Sequence, residues 1–286
     1  MKRIAILGPG LLGGSIAVKL RQLGGCRVSV WARRAEAVEE VIAAECADTA
    51  TSDLAEAVGE AGLVVLCVPV GAMGELARAI LPSIQPGTIV TDVGSVKGRV
   101  LAELGAIFRG RGRFVGSHPM AGSEQTGLKA ARADLFDRAT CIVTPDENTD
   151  AAALGEVTAF WQQLGCRVVA LRAAEHDVCV ALVSHLPHLV AATLINTVAA
   201  KNSHAFEVVG PGFRDSSRVA SGPPAMWTEI LTENSRAVDE AINALIAKLT
   251  DFRQMIAGSN DGRELREFLA AAKATRDRIF PKINNG

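Results

Sequence analysis

The sequence predicts an α/β fold, with a doubly wound parallel sheet in the N-terminal part and an all-α domain in the C-terminal part. Up to residue 172, short apolar runs alternate with amphipathic stretches of helical length, which is typical of βαβ units. Residues 63–68, LVVLCV, are apolar throughout, as expected for a strand covered on both faces. No strand candidate follows residue 172. We therefore predict two domains, residues 1–172 and 173–286.

The elements of the first domain follow each other in alternation. The strand candidates are residues 4–7, 28–31, 63–68, 88–91, 113–116, 140–144 and 168–171. The helix candidates between them are residues 11–23, 35–44, 72–80, 96–108 and 151–164. This order predicts a mostly parallel sheet with helices on both faces.

The second domain is predicted to be helical throughout. One helix spans residues 175–200 and is interrupted at Pro187, residues 202–217 form a loop, and a long helix begins at Pro223–Pro224, where proline suits a helix start. A final helix spans residues 264–279. The long helix carries a heptad stripe that we define as Val238, Ile242, Leu245, Leu249, Phe252 and Ile256. Such a stripe packs helix on helix, either within one chain or, as we expect, partly in a homodimer.

Composition restricts the classes of function. The chain has 30 basic and 31 acidic residues, which argues against general binding to nucleic acid or an anionic membrane. No apolar run approaches the ~20 residues of a membrane helix, and glycines and a proline soon interrupt the apolar N-terminal run. The six cysteines are scattered singly, as in reduced cytosolic proteins. We expect a cytoplasmic protein.

A glycine motif predicts the nucleotide site. Gly8, Gly10 and Gly13 fit G-x-G-x-x-G, between a predicted strand and the helix that begins with Leu11 and Leu12. Glycines permit a tight turn and close approach of a pyrophosphate, which the helix N-terminus attracts. The alternative is a tight turn without a ligand. The context favours a Rossmann-type dinucleotide site.

The end of the second strand predicts which dinucleotide is bound. NAD enzymes place an acidic residue about 20 residues after the glycines, where this chain has Ala32, followed by Arg33 and Arg34. Two guanidinium groups would hold a 2′-phosphate through charge-assisted hydrogen bonds. We therefore predict NADP. The alternative is that both arginines are merely solvated.

Four segments are unusually rich in polar residues for their positions. They are TDVGSVKG at residues 91–98, GSHPMAGSE at 116–124, SHLPH at 184–188 and GFRDSSR at 212–218. The first two follow predicted strands, so Ser95 and His118 are expected at the carboxyl edge of the sheet, where ligands bind in open α/β folds. With the glycine motif and PAMW at 224–227, these segments make the whole chain resemble the prephenate/arogenate dehydrogenase family.

The resemblance implies a dinucleotide-binding domain, a helical dimerisation domain and a small-molecule substrate. By position, His118 matches the family's catalytic histidine and Ser95 the serine that supports it. His185 and Arg218 match substrate-binding residues, and Arg214 a basic position beside them. Without the resemblance, the two arginines are as well explained by surface pairs with acidic neighbours, Asp215 or Glu207.

The expected reaction is an oxidative decarboxylation in tyrosine biosynthesis. A neutral histidine suits the removal of the C4 hydroxyl proton, because its pKa lies near operating pH, and arginines suit a substrate with two carboxylates. No residue distinguishes prephenate from arogenate. His185 and His188 lack a third ligand at plausible spacing, so no metal site is predicted. His188 is expected to pack or to bond backbone freed by Pro187, and His176 and His204 receive no role.

Two other functions remain open. One is another NADP-dependent oxidoreductase with a helical second domain, of the β-hydroxyacid dehydrogenase or imine reductase type. The predicted helix at residues 175–200 has no lysine, which weighs against the hydroxyacid version. The other is a non-catalytic NADP-sensing protein, which would need no set of serine, histidine and arginine.

Overall fold

The computed structural model describes residues 2–109, 113–258 and 261–280. The chain forms two compact units, and the boundary between them lies between Ala237 and Val238. The first unit contains the whole sheet and the helices up to Glu233. The second unit is helical.

An eight-stranded sheet in the order β3-β2-β1-β4-β5-β6-β7-β8 forms the centre of the first unit. The pairs among β1 to β6 are parallel, whereas β7 is antiparallel to β6 and parallel to β8. The strands are β1 Lys2–Leu7, β2 Cys26–Trp31, β3 Thr49–Thr51, β4 Leu63–Leu66, β5 Ile89–Asp92, β6 Arg113–Pro119, β7 Thr140–Thr144 and β8 Arg167–Ala170. The predicted doubly wound, mostly parallel sheet is confirmed.

Helices connect these strands and cover both faces of the sheet. They are α1 Leu11–Leu23, α2 Ala35–Ala43, α3 Leu54–Val58, α4 Val70–Ile80, α5 Gly98–Phe108 and α6 Ala151–Gln163. Alternate residues of β1 enter two separate cores, with Ile4 and Ile6 on one face and Ala5 and Leu7 on the other. Burial on both faces explains why the central strands lack polar alternation.

The sequence predictions for this half missed two elements and misplaced the ends of two strands. The short elements β3 and α3 were not predicted, because three and five residues are too few to show a period. Strand β4 ends at Leu66, two residues earlier than expected. Strand β6 runs to Pro119 instead of ending at residue 116, because its last residues pair with β7. His118 therefore lies in the strand and not after it.

The helix predicted over residues 175–200 is continuous, but its hydrogen-bonding pattern changes. It begins as α7 Ala173–Val180, widens to one π-helical turn over Ala181–His185, and continues as α8 Leu186–Lys201. The interruption precedes Pro187, which lies in the first turn of α8. Proline lacks an N–H group and crowds the carbonyl four residues earlier, and the wider turn accommodates both. By length and composition, Ala173–Lys201 is apolar enough to cross a membrane, and it is partly buried here.

The segment predicted as a loop is also partly helical. Within residues 202–217, Ser203–Val208 is a 3₁₀ turn and Pro211–Ser217 forms α9. A second 3₁₀ turn, Arg218–Ser221, follows directly. Glycines and prolines suggested a loop, but Pro211 takes the first turn of its helix, where the missing N–H costs nothing.

The predicted long helix is divided at Asn234. Helix α10 spans Pro224–Glu233 and α11 spans Ser235–Gly258. In the second unit, α11 is followed by α12 Arg263–Ile279, and the rings of Phe252 and Phe268 lie 5.4 Å apart. Part of the heptad stripe remains open to solvent, since Leu249 is 58% exposed and Ile256 is 60% exposed.

Candidate active site

The glycine turn between β1 and α1 has the shape of a dinucleotide cradle. Gly8 has a φ of +111°, and a Cβ atom there would lie 2.5 Å from the carbonyl oxygen of Cys67. A Cβ atom on Gly13 would overlap the carbonyl oxygen of Gly8. A Cβ atom on Gly10 would meet nothing within 4 Å. Packing therefore requires glycine at positions 8 and 13, whereas the space beside Gly10 is empty.

The first turn of α1 is suited to an anion. Gly10 caps the helix without a side-chain hydrogen bond, and the turn contains no acidic residue. The N–H groups of Leu11, Leu12 and Gly13 lie in the first turn, where an α-helix offers them no carbonyl partner, so they are available to bind a phosphate. These residues fit a bound dinucleotide.

The end of β2 lies beside this turn. The Gly8 N–H donates to the Trp31 carbonyl over 3.0 Å, and the next residue, Ala32, is buried. Arg33 and Arg34 are exposed. Within the part of the chain that the structure describes, neither arginine forms an ion pair with the protein.

His118 belongs to a chain of three hydrogen-bonded side chains, in which the two histidines are buried and Asp177 is partly buried. Nδ1 of His118 lies 2.8 Å from Nε2 of His176, and Nδ1 of His176 lies 2.8 Å from Oδ1 of Asp177. His118 is near the end of β6, and the other two are adjacent in α7. Asp177 accepts the backbone N–H groups of Lys97 and Gly98, each over 2.8 Å. These contacts join the end of β6 to the start of α5 through one carboxylate.

A buried ion pair lies next to this chain. The Lys97 ammonium donates to Asp92, and both side chains are fully buried. Asp92 also accepts the N–H groups of Gly94 and Ser117, over 2.7 and 3.1 Å. Lys97 thus contributes its side chain to Asp92 and its backbone to Asp177. With three donors on Asp92, the buried charges are compensated.

Burial keeps the histidines of this site neutral. Desolvation lowers the pKa of His118 well below its usual value, and the neighbouring His176, Lys97 and His185 lower it further. Burial also lowers the pKa of His176, and it lowers the pKa of His185 to about 4. For Asp177, hydrogen bonds from His176 and the two backbone N–H groups outweigh the effect of burial, so its pKa lies below the ordinary value. The site therefore holds an uncharged proton acceptor at neutral pH.

Ser95 lies in the loop between β5 and α5, half-buried and close in sequence to Asp92 and Lys97. Asp92 of TDVGSVKG receives the N–H of Ser117 from GSHPMAGSE. This contact brings the two polar segments together.

His185 and His188 pack on one tryptophan. The His188 ring is stacked on Trp227, with centroids 3.7 Å apart, and the His185 ring meets Trp227 edge-on at 6.2 Å. Nδ1 of His185 lies 3.3 Å from the buried amide Nδ2 of Asn234, which also donates to the Asp177 carbonyl. His185 is therefore enclosed, whereas the backbone of Val219 hydrogen-bonds to His188.

The two arginines of GFRDSSR are exposed. Arg218 Nη1 is 3.4 Å from Oε2 of Glu124, which belongs to GSHPMAGSE, and both side chains are largely exposed. The pair links the second and fourth predicted segments, and it replaces the surface pairs with Asp215 or Glu207 that the sequence left open. Arg214 is exposed on α9.

The sequence did not indicate His176, Asp177, Lys97 or Asn234 as parts of the site. Lys97 belongs to TDVGSVKG, but no role was predicted for it. His176 is 58 residues from His118, so no local spacing connects them. The adjacent pair His176–Asp177, one turn into a helix, was the only local signal.

The strand order, the glycine turn and the buried histidine chain together define the class of the protein, an α/β enzyme of the dinucleotide-binding type. Comparison with known families refines this assignment. Residues 16–170 match the prephenate dehydrogenase nucleotide-binding domain, and residues 172–271 match the prephenate dehydrogenase dimerization domain. The chain belongs to the prephenate dehydrogenase family.

Individual relatives agree with this placement. The cyclohexadienyl dehydrogenase of Zymomonas mobilis is 36% identical, and the match covers 96% of this chain and 94% of the relative. The crystal structure of prephenate dehydrogenase from A. aeolicus in complex with hydroxyphenyl propionate and NAD+ is 31% identical, covers 98% of each chain and has a TM-score of 0.90. The structure of Synechocystis arogenate dehydrogenase is 30% identical, covers 97% of this chain and 99% of its own, and has a TM-score of 0.83.

Proposed function

We propose that this chain oxidatively decarboxylates prephenate or arogenate, with hydride transfer to NADP, in tyrosine biosynthesis. The observation that carries the proposal is the buried, neutral His118 on β6, which hydrogen-bonds to His176 through Nδ1. Nε2, the other ring nitrogen, is then the atom that accepts the proton of a substrate hydroxyl. The relatives include enzymes named for both substrates, so the choice between a keto and an amino side chain is left to experiment.

His118 acts as the proton acceptor in this mechanism. When bound, the nicotinamide dinucleotide supplies the hydride acceptor for the C4 hydrogen. Nε2 of His118 takes the C4 hydroxyl proton as the C–H electron pair departs and a carbonyl forms. The bond from the ring to its carboxylate then breaks, CO₂ leaves, and the ring becomes a phenolate. The His118 proton returns to that oxygen, and aromatisation drives the sequence forward.

We assign the remaining site residues to binding. Ser95 orients the substrate oxygen or the imidazole. Arg218 and Arg214 hold carboxylates, for which Arg218 must exchange its exposed pair with Glu124, a contact of small free-energy cost. We also assign His185 to substrate binding, although its ring is enclosed in the present arrangement. Its contact with Trp227 places it beside the aromatic surface shared with His188.

The cofactor assignment rests on the end of β2. Gly8, Gly10, Leu11, Leu12 and Gly13 hold the pyrophosphate. Ala32 leaves room at the ribose, and the exposed Arg33 and Arg34 bind the 2′-phosphate of NADP.

We further propose a cytoplasmic homodimer with a domain boundary at residues 172 and 173. The match to a dimerization domain and the exposed heptad stripe on α11 support the dimer. The apolar helix Ala173–Lys201 carries His176 and Asp177, which hydrogen-bond to His118 and the α5 backbone, so we assign its apolar surface to protein contacts and not to lipid. No nucleic-acid or membrane partner enters the proposal.

A two-by-two assay tests this function, with prephenate or arogenate as substrate and NAD or NADP as cofactor. We expect reduction of the dinucleotide with at least one substrate and a higher kcat/KM with NADP. The Arg33→Ala/Arg34→Ala enzyme should lose that preference, because each charge-assisted bond is worth ~1.5–3 kcal/mol. Arg27→Ala, exposed at the opposite end of β2, is the matched control and should keep it.

Two results would overturn the assignment. Binding of NADP without turnover of either substrate would favour the sensing protein. Equal or better use of NAD by the unmodified enzyme would remove the role of Arg33 and Arg34 while leaving the reaction in place.

A further inference from the structure

We propose that His176 and Asp177 are positioning residues that fix the tautomer of His118, so that its proton lies on Nδ1 and its lone pair on Nε2. The inference rests on the proposed function, since it explains how His118 presents an acceptor to the substrate. It gives a role to two side chains that neither the sequence patterns nor the catalytic assignment uses.

Two backbone N–H groups fix the protonation state of Asp177. Its Oδ1 accepts the Lys97 N–H and its Oδ2 accepts the Gly98 N–H, each over 2.8 Å. Backbone N–H groups can only donate, so they hold this side chain as an ionised carboxylate. The contact of 2.8 Å from Oδ1 to Nδ1 of His176 therefore requires a proton on that nitrogen.

The position of the proton on His176 determines its position on His118. A neutral imidazole with its proton on Nδ1 has a lone pair on Nε2. Nε2 of His176 must therefore accept from Nδ1 of His118, which lies 2.8 Å away. His118 then carries its own proton on Nδ1, and only Nε2 can accept a substrate proton. One carboxylate thus decides the direction of both hydrogen bonds.

The groups around His118 favour this neutral arrangement. His176 faces it from α7, Lys97 from the start of α5 and His185 from the π turn. Asp177 is hydrogen-bonded to His176, and Asp92 is paired with Lys97. The Lys97 ammonium is paired with Asp92, so it does not compete for the His176 or His118 lone pairs. When His118 gains the substrate proton, its Nδ1–H bond to His176 becomes charge-assisted and stabilises the imidazolium.

Two variants at position 176 test the inference. His176→Gln places one acceptor and one donor side by side, so it can accept from His118 and donate to Asp177. His176→Leu removes the acceptor and leaves the tautomer of His118 unfixed. We expect kcat to fall about 10²–10³-fold in the leucine variant and less than about 10-fold in the glutamine variant, with KM and the Kd for NADP little changed.

Nitrogen NMR of ¹⁵N-histidine-labelled protein supplies a readout independent of turnover. Two-bond ¹H–¹⁵N correlations at pH 8 report which ring nitrogen carries the proton, and the His118 signals are assigned by their loss in His118→Asn. We expect Nδ1–H for His118 in the unmodified protein and in His176→Gln, and a change toward Nε2–H in His176→Leu.

A His118 proton on Nε2 in the unmodified protein would overturn the inference, as would equal kcat values and pH profiles in the glutamine and leucine variants. If neither prephenate nor arogenate is turned over, the proposed function fails, but the NMR result still decides the tautomer.

Discussion

At the scale of single residues, the site is oriented by backbone N–H groups, which can donate a hydrogen bond but cannot accept one. The N–H groups of Lys97 and Gly98, at the start of α5, orient Asp177, and Asp177 orients His176. In the proposed mechanism, the tautomer of His118 thus depends on backbone geometry two side chains away.

Replacing His118 with Asn tests the acid–base role. Asn keeps a polar group but accepts no proton near neutral pH, so kcat should fall ~10²–10⁴-fold. The Kd for NADP, measured by fluorescence titration, should be unchanged, because the phosphates are held elsewhere. His204→Asn is the control, since the exposed side chain of this histidine hydrogen-bonds only to Glu207 among the residues described, and the variant should keep full activity.

The pH profile gives a second measurement at this residue. Burial lowers the pKa of His118, so the ring stays neutral, and able to accept a proton, below pH 6.5. The acid limb of kcat/KM should therefore lie below 6.5 and disappear in His118→Asn. A limb centred above 6.5, or one that survives the substitution, would point to another base.

Much of the candidate site could be predicted from the sequence, but not its connections. Local motifs drew attention to Ser95, His118, His185, Arg214 and Arg218, and their roles stay predictions. The role of His176 could not be predicted in this way, because it is 58 residues from His118 and no local spacing connects the two.

At the scale of elements, helix interruptions position the site. The π turn at Ala181–His185 brings His185 toward Asn234, and Asn234 itself divides α10 from α11. The sequence predicted both helices but placed the first interruption at Pro187 and missed the second. Helix propensity identifies where helices form more reliably than where tertiary hydrogen bonds end them.

Asn234→Ala tests the second interruption. The change removes hydrogen bonds to the Asp177 carbonyl and to His185, and it leaves buried partners unsatisfied. We expect the free energy of unfolding to fall by ~1–3 kcal/mol, measured by urea denaturation with tryptophan fluorescence. The control is Asn243→Ala, whose exposed amide bonds only to Asp239 among the residues described, and which should change stability by less than about 0.5 kcal/mol. Equal effects of the two substitutions would contradict a structural role for Asn234.

At the scale of the whole molecule, the apolar surface of the second unit is larger than its own helices cover. Leu249 and Ile256 of the heptad stripe are mostly exposed, although Phe252 packs on Phe268. The stripe was predictable from spacing alone, because a repeat of four and three residues places its members on one helix face.

Leu249→Lys tests whether this surface joins two copies. A buried ammonium in a helix interface is costly, so the dimer Kd should rise at least about 10-fold, measured by sedimentation equilibrium. Ile42→Lys, at a comparably exposed position on α2, should leave the association unchanged. A monomeric unmodified protein, or equal association of all three proteins, would refute the proposed homodimer.

The contact of Asp177 with the start of α5 also limits how genes of this family can be recombined. The nucleotide-binding match ends at residue 170, yet His118 is hydrogen-bonded to residue 176, and residue 176 to residue 177, both in the other matched segment. A chimera joined at that boundary would pair one parent's proposed catalytic histidine with the other parent's residues 176 and 177. Crossovers placed after residue 177 would keep His118, His176 and Asp177 from the same parent.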